Sequence, residues 1–254
     1  MNTFNLILII VLGLIVGSFL NVLILRMDDL KSVLYTRSHC PSCQKTLAWY
    51  DLVPFLSFVL LRGKCRYCLK PISWQYPVVE LLTAVVFLLL YLYFGLSIAL
   101  LFYIIEFSIL IVILIYDTRT QTVPEYFSWV ALGLAFLGGW YFGGFSIFSG
   151  ILGALISGGL LAILVYVSKE KWMGAGDIKI GATLGFLCGY PAVLVGTFLA
   201  FVLGSIVGII YIYLTKQTIK SSLPFAPFLV IATLITILFG RLIIDWYTGS
   251  FFLI

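Results

Sequence analysis

Long apolar runs separated by short polar loops set the pattern of this chain. The first run, Phe4 to Leu25, meets no charge until Arg26. It has no basic segment ahead of it and is longer than the apolar core of a signal peptide, so it reads as a retained first span. Further runs lie at about 79–95, 97–116, 126–144, 146–167, 178–190, 191–215 and 225–247. A spanning helix needs about 20 apolar residues. The pattern therefore predicts an all-α polytopic membrane protein of about eight transmembrane helices. Run 178–190 is short and Gly-rich, and Pro191 blurs its border with the next run, so seven spans is the alternative count.

The basic residues give the topology, because Lys and Arg concentrate in cytoplasmic loops. Segment 26–77 holds Arg26, Lys31, Arg37, Lys45, Arg62, Lys64, Arg66 and Lys70. Arg119 follows the third run, Lys169, Lys171 and Lys179 surround the junction after the fifth, and Lys216 and Lys220 follow the seventh. With eight spans, fourteen of the fifteen basic residues fall on one side, and only Arg241 lies elsewhere. This implies an N-out, C-out protein of the cytoplasmic membrane. It divides into a first helix (1–25), a cytoplasmic block (26–78) and a membrane domain of about seven helices (79–254). Gly153, Gly158, Gly159, Gly204 and Gly208 read as small residues that let helices pack closely.

Composition adds exclusions. The chain is 63% hydrophobic and 10% charged, with a mean hydropathy of +1.18. A soluble domain carries about a quarter charged residues, so a cytosolic globule and a disordered chain are both ruled out. The only histidine is His39, so neither a Ser-His-Asp triad nor an H-E-x-x-H metal site can be built. No Walker A loop is present, and no nucleic-acid partner is expected.

The polar block carries Cys40-Pro-Ser-Cys43 and Cys65-Arg-Tyr-Cys68, separated by 21 residues. Two C-x2-C knuckles supply four thiolates for tetrahedral Zn²⁺, with no open position for catalysis. A reducing cytoplasm disfavours disulfides, and so small a block gains its order from a metal. Structural zinc is the favoured reading, and free or redox-active thiols are the alternative. His39 adjoins Cys40 and is either a ligand in a variant site or a solvated loop residue. Cys188 lies in an apolar run and reads as packing.

Ionisable groups in spans are costly and so become functional candidates. Asp117 ends the third span, and Asp177 opens the sixth within Gly174-Ala175-Gly176-Asp177-Ile178-Lys179. Both lie at the cytoplasmic edge of the predicted topology. Two adjacent carboxyls at low dielectric share one proton. The ionised one can then take a proton from water while the other polarises a peptide carbonyl. Gly174 and Gly176 leave room for a substrate backbone or a facing helix. Taken singly, Asp117 is as well read as a partner of Arg119. Asp177 is as well read as a helix N-terminal carboxylate favoured by the macrodipole, with or without Lys179 as a partner. Glu106, eleven residues before Asp117, falls about 20° from the same helix face. It extends a polar track to Asp117 or, as we favour, hydrogen-bonds in protonated form to a neighbouring helix. Asp117, Glu106 and Asp177 together would suit a transporter or ion channel. A non-catalytic assembly factor docking through its Cys block is the third class.

The ordered motifs resemble the prepilin peptidases, the type IV leader peptidases among the GxGD membrane aspartyl proteases. The likeness rests on Gly17-Ser-Phe-Leu-Asn-Val22 with Arg26, the two Cys knuckles, Trp49-Tyr50-Asp51, Pro54, Leu61-Arg62-Gly63 and Tyr76-Pro77-Val78-Val79-Glu80-Leu81. It continues through Asp117 with Val123-Pro124, Gly174 to Lys179, and Leu223-Pro224-Phe225-Ala226-Pro227-Phe228. Ala226 stands where the family usually has glycine, and Glu125 where it often has Asp or Asn. The resemblance implies that Asp117 and Asp177 are catalytic, with Gly174, Gly176 and Lys179 in support. It implies removal of a short basic leader, after a glycine at the cytoplasmic face, from pilin, pseudopilin or competence-pilin precursors of type IV pili and protein secretion. It further implies N-methylation of the new terminus with S-adenosylmethionine. The expected partners are those precursors and the lipid bilayer.

Overall fold

Apolar runs of this length form helices because the bilayer core offers backbone groups no other partner. The computed structural model describes residues 2–215 and 224–251. Lys216, Lys220 and Leu223 lie outside the described residues. Among the described residues, six helices are long and apolar enough to cross a membrane. These are α1 (Thr3–Leu25), α4 (Gln75–Phe94), α5 (Ile98–Thr120), α8 (Ile147–Ser168), α10 (Ala192–Thr215) and α11 (Ala226–Phe251). The short helices among the described residues are α2 (Leu30–Tyr35), α3 (Leu56–Leu60), α6 (Glu125–Leu134), α7 (Trp140–Gly143) and α9 (Ala175–Cys188).

Two of the eight expected crossings take another form. The run 126–144 is α6 and α7 joined by a π-helical turn, Ala135–Gly139, a wide turn that interrupts the regular α-helical hydrogen bonding. The run 178–190 is the 14-residue α9, about 21 Å long against an apolar core of about 30 Å. It stops at Gly189, whose φ of +64° suits glycine, with Pro191 two residues on.

The chain divides into two compact units at Ser108/Ile109. In the first, α1 packs along α4. Gly17 lies so close to Glu80 and Thr83 that a Cβ there would collide with them. The Asn21 side chain donates to the Gly17 carbonyl at 3.3 Å and the Tyr76 carbonyl at 3.1 Å, and it accepts from Gln75 at 3.3 Å. The end of α1 is thereby tied to the start of α4. Arg26, just past α1, gathers the following loop by donating to the carbonyls of Ser32 (2.8 Å) and Thr36 (3.1 Å).

In the second unit α9 is the hub, packing against α6, α8, α10 and α11. Its closest neighbour is α8, where Gly185 meets the backbone of Gly153 and Ala154. Two bare backbones in contact leave no room for side chains. That packing holds the N-terminus of α9 in place, and Asp177 lies there.

Candidate active site and metal centre

Asp117 sits in the last turns of α5 and Asp177 in the first turn of α9, and both are buried. The first amides of a helix have no intrahelical partner, and two such amides hold these carboxyls. The Gly174 N–H donates to Asp177 Oδ2 at 3.1 Å. The Ala226 N–H, at the start of α11, donates to the Asp117 carboxyl. The other oxygens, Asp117 Oδ2 and Asp177 Oδ1, are buried without a hydrogen-bond partner among the described residues. The two carboxyls are near enough to interact electrostatically. Each carboxyl is thus fixed at one oxygen and open at the other.

Asp177 is a helix N-terminal carboxylate, as its single-residue reading has it, in the first turn of α9 with the Gly174 N–H on its Oδ2, but neither aspartate makes the ion pair suggested for it. Among the described residues the ion pairs are Arg66–Asp51 and Lys179–Glu125, so Asp117 does not pair with Arg119 nor Asp177 with Lys179. Positions two apart on a helix face different sides, and Lys179 turns to α6 instead. Its Nζ is 2.9 Å from Glu125 Oε1 and 4.7 Å from the centre of the Trp129 ring. Gly176 makes room for the chain itself, because a Cβ there would run into Val123. Gly174 has open space around it, with only the Gly176 nitrogen at 4.0 Å.

The late Pro-rich segment takes part in the site. Its contribution to the site is the Ala226 amide, a role that the sequence pattern did not reveal. The signal for it lies in Pro224 and Pro227, which flank a helix start and leave Ala226 as a nearby N–H donor. Glu106 is fully buried, yet neither of its oxygens has a hydrogen-bond partner among the described residues. The expected bond to a neighbouring helix is therefore not seen, and no hydrogen-bonded track leaves this residue.

In the first unit the Sγ atoms of Cys40, Cys43, Cys65 and Cys68 all lie within 4.8 Å of one another. The two knuckles repeat one geometry. Cys40 N–H donates to the Lys45 carbonyl and Gln44 N–H to the Cys40 carbonyl, while Cys65 with Lys70, and Leu69 with Cys65, make the same pair of bonds. Gln44 and Leu69 both adopt positive φ, 58° and 59°. Zn–S bonds of about 2.3 Å set tetrahedral sulfurs about 3.8 Å apart, and Cys40 and Cys68 are already 3.8 Å apart. The four thiols therefore fit a metal ion. Burial raises the Cys40 thiol, but hydrogen bonds from the Cys43 and Ser42 backbone and from neighbouring thiols outweigh it and bring it down to about 6. The Lys70 N–H lowers Cys68, but burial and the other three thiols push it up to about 11. His39 is no part of the cluster, since its Nδ1 lies 3.2 Å from the Arg37 carbonyl.

Asp51 braces the second knuckle. It accepts from Arg66 Nε at 2.7 Å, Tyr67 Oη at 3.1 Å and the Ala48 N–H at 3.2 Å. Arg66 also lies 5.0 Å over the Tyr50 ring, and Lys45 lies 4.3 Å over Tyr67.

Comparison with known proteins finds matches along most of the chain. Residues 11–94 match the bacterial peptidase A24 N-terminal domain, and residues 104–209 match the type IV leader peptidase family. The chain is 31% identical to a prepilin leader peptidase/N-methyltransferase of Bacillus subtilis, covering 93% of this chain and 95% of that protein. It is also 31% identical to the protein of the same name from Legionella pneumophila, over 93% and 92% of the two chains. A type 4 prepilin-like proteins leader peptide-processing enzyme of Escherichia coli is 33% identical over 89% of this chain and 90% of its own. No solved structure matches. With both family segments matched and relatives aligned over nearly the whole length, the chain belongs to the type IV leader peptidase family.

Proposed function

We propose that this integral membrane peptidase removes the leader from type IV prepilin-like precursors with Asp117 and Asp177 as its catalytic pair. The observation that carries the reading is the matched state of the two carboxyls. Each has one oxygen held by a backbone amide and one buried and free, and the two are near enough to interact electrostatically. A pair in this state holds a single proton. The ionised carboxyl takes a proton from water as the water oxygen bonds to the scissile carbonyl carbon. The protonated carboxyl donates to the carbonyl oxygen, giving a tetrahedral diol. The C–N bond then breaks as a carboxyl proton passes to the leaving amine and a hydroxyl of the diol gives its proton to the other carboxylate while the carbonyl re-forms, which leaves the pair in its one-proton state.

Gly174 leaves open space beside Asp177 for the substrate backbone. Gly176 and Lys179 lock the start of α9 to Val123, Glu125 and Trp129. The distribution of Lys and Arg supports a cytoplasmic-membrane protein, N-out and C-out, with the carboxyls and the Cys block (26–78) on the cytoplasmic side. The membrane peptidase domain is then 79–254. The four thiols are proposed to hold a structural Zn²⁺. The names of the relatives, prepilin leader peptidase/N-methyltransferase, support N-methylation of the new terminus with S-adenosylmethionine as a second activity.

The test is to incubate the purified protein with a prepilin, with and without S-adenosylmethionine, and to weigh the products. The expected result is loss of the leader in both arms and about 14 Da added to the mature chain with the methyl donor alone. An uncut precursor would refute the peptidase reading.

A further inference from the structure

The polar block contains an apolar stretch that neither the metal centre nor the carboxyl pair uses. Residues 52–61 read Leu-Val-Pro-Phe-Leu-Ser-Phe-Val-Leu-Leu, with Ser57 the only polar side chain. A stretch of ten residues is too short to cross a bilayer, and such a length suits a segment lying in the interface. The stretch folds into α3 but does not bury itself. Leu56, Val59 and Leu60, at i, i+3 and i+4 on one helix face, are all exposed, Leu60 by 79%. Trp49 and Trp74 flank the stretch and are 79% and 72% exposed.

Two contacts fix the depth of this segment. The Phe55 N–H donates to Glu80 Oε2 at 2.8 Å. Glu80 is the sixth residue of α4, about 7.5 Å along the helix from its start. Phe55 thus lies beside the second turn of a helix built to span the membrane. The Phe58 ring meets Trp74, the residue before α4, edge-on at 5.0 Å. Exposed Arg62, Lys64, Arg66 and Lys70 follow at once, and no acid occurs between Asp51 and Glu80. An apolar helix face, flanking tryptophans and a cationic border are the marks of a segment seated at an anionic lipid surface.

We infer that residues 52–61 are a monotopic membrane anchor, seated at the headgroup–acyl boundary with the basic residues 62–70 among anionic phospholipid headgroups. The anchor holds the Cys block against the bilayer between its two tethers, α1 and α4. The inference rests on these helices alone and is independent of the chemistry of Asp117 and Asp177.

The full chain is reconstituted in nanodiscs of equal phosphatidylglycerol and phosphatidylcholine, with the photo-crosslinker p-benzoyl-phenylalanine placed at Leu60 and, separately, at Val59. Exposed Phe198 of α10 serves as the lipid-facing control. Irradiation should add the mass of one phospholipid at Leu60 and Val59, with phosphatidylglycerol exceeding phosphatidylcholine. Lipid adducts at Phe198 but not at Leu60 or Val59 would overturn the anchor. So would adducts to a second copy of the chain, or to a prepilin added in a parallel arm. Equal labelling of the two lipids would overturn the role given to the basic residues.

Discussion

Val123 packs on Gly176 so closely that a Cβ on Gly176 would overlap the Val123 side chain, its Cβ included. The loop before Pro124 is thereby pressed onto the turn that carries Asp177. Gly176→Ala should therefore displace that turn, at an overpacking cost of about 1–3 kcal/mol. Leader cleavage should fall by roughly tenfold or more. Because the Val123 Cβ is the nearest atom, adding Val123→Ala should restore little, whereas adding Val123→Gly should restore part of the rate. Cleavage rates of the three variants check this, and equal rescue by Val123→Ala and Val123→Gly would refute the contact as the cause.

Replacing either buried carboxyl removes one half of the proton pair. Asp117→Asn and Asp177→Asn should each lower leader cleavage by at least about a thousandfold, while the protein still inserts in the membrane. The double variant should be no worse than the singles, because the two groups act as a unit. Wild-type processing by Asp177→Ala would remove the assignment.

Much of this arrangement is legible in the sequence, for local reasons. The knuckles are set by C-x2-C spacing, and the helices by long apolar runs. The two aspartates stand out because acids in such runs are rare. What stayed hidden depends on contacts between distant segments. The Ala226 amide reaches Asp117 across more than a hundred residues of chain. Hydropathy marked the run 178–190 as short, but could not foresee that α8 and α11 pack on the helix it forms. Nor could it foresee that the run 126–144 contains a π-helical turn. Glu106 shows the converse failure. Its helical register suggested a polar neighbour, and both oxygens are buried without one among the described residues.

Lys179 and Glu125 form one pair with unequal surroundings. The Lys179 side chain is mostly buried and sits on Trp129, whereas Glu125 is mostly exposed. Exposed ion pairs contribute little, while a desolvated cation on an aromatic face contributes more. Lys179→Ala should therefore slow cleavage more than Glu125→Gln, and Lys179→Arg should recover part of the loss. Measuring kcat and KM for the three variants checks the order. A greater loss for Glu125→Gln than for Lys179→Ala would show that the ion pair, not the ring contact, fixes α9.

The four thiols should retain about one zinc ion per chain when the protein is purified under reducing conditions without chelator. Cys40→Ser and Cys65→Ser remove buried sulfurs from separate knuckles, so each should abolish retention. Metal analysis of wild type and variants decides this, and metal-free wild type from such a preparation would refute the site.

Asp51 gives the Cys block a dependence on acid. Burial raises its carboxyl, but hydrogen bonds from Arg66, the Ala48 N–H and Tyr67 outweigh it and hold the group below the ordinary carboxylate value, which is about 3.9. A group lowered on folding contributes its stability above the unfolded value and loses it as pH falls through the folded one. The contribution is therefore complete above about pH 4 and fades below it. Asp51→Asn should speed amide hydrogen exchange around residues 46–52 at pH 6, and the gap from wild type should close as the solution is acidified below pH 4. Comparing the two proteins at each pH cancels the intrinsic exchange rate and any release of metal common to both. A gap that does not shrink at all on acidification would mean that the loss came from packing rather than from the charge of Asp51.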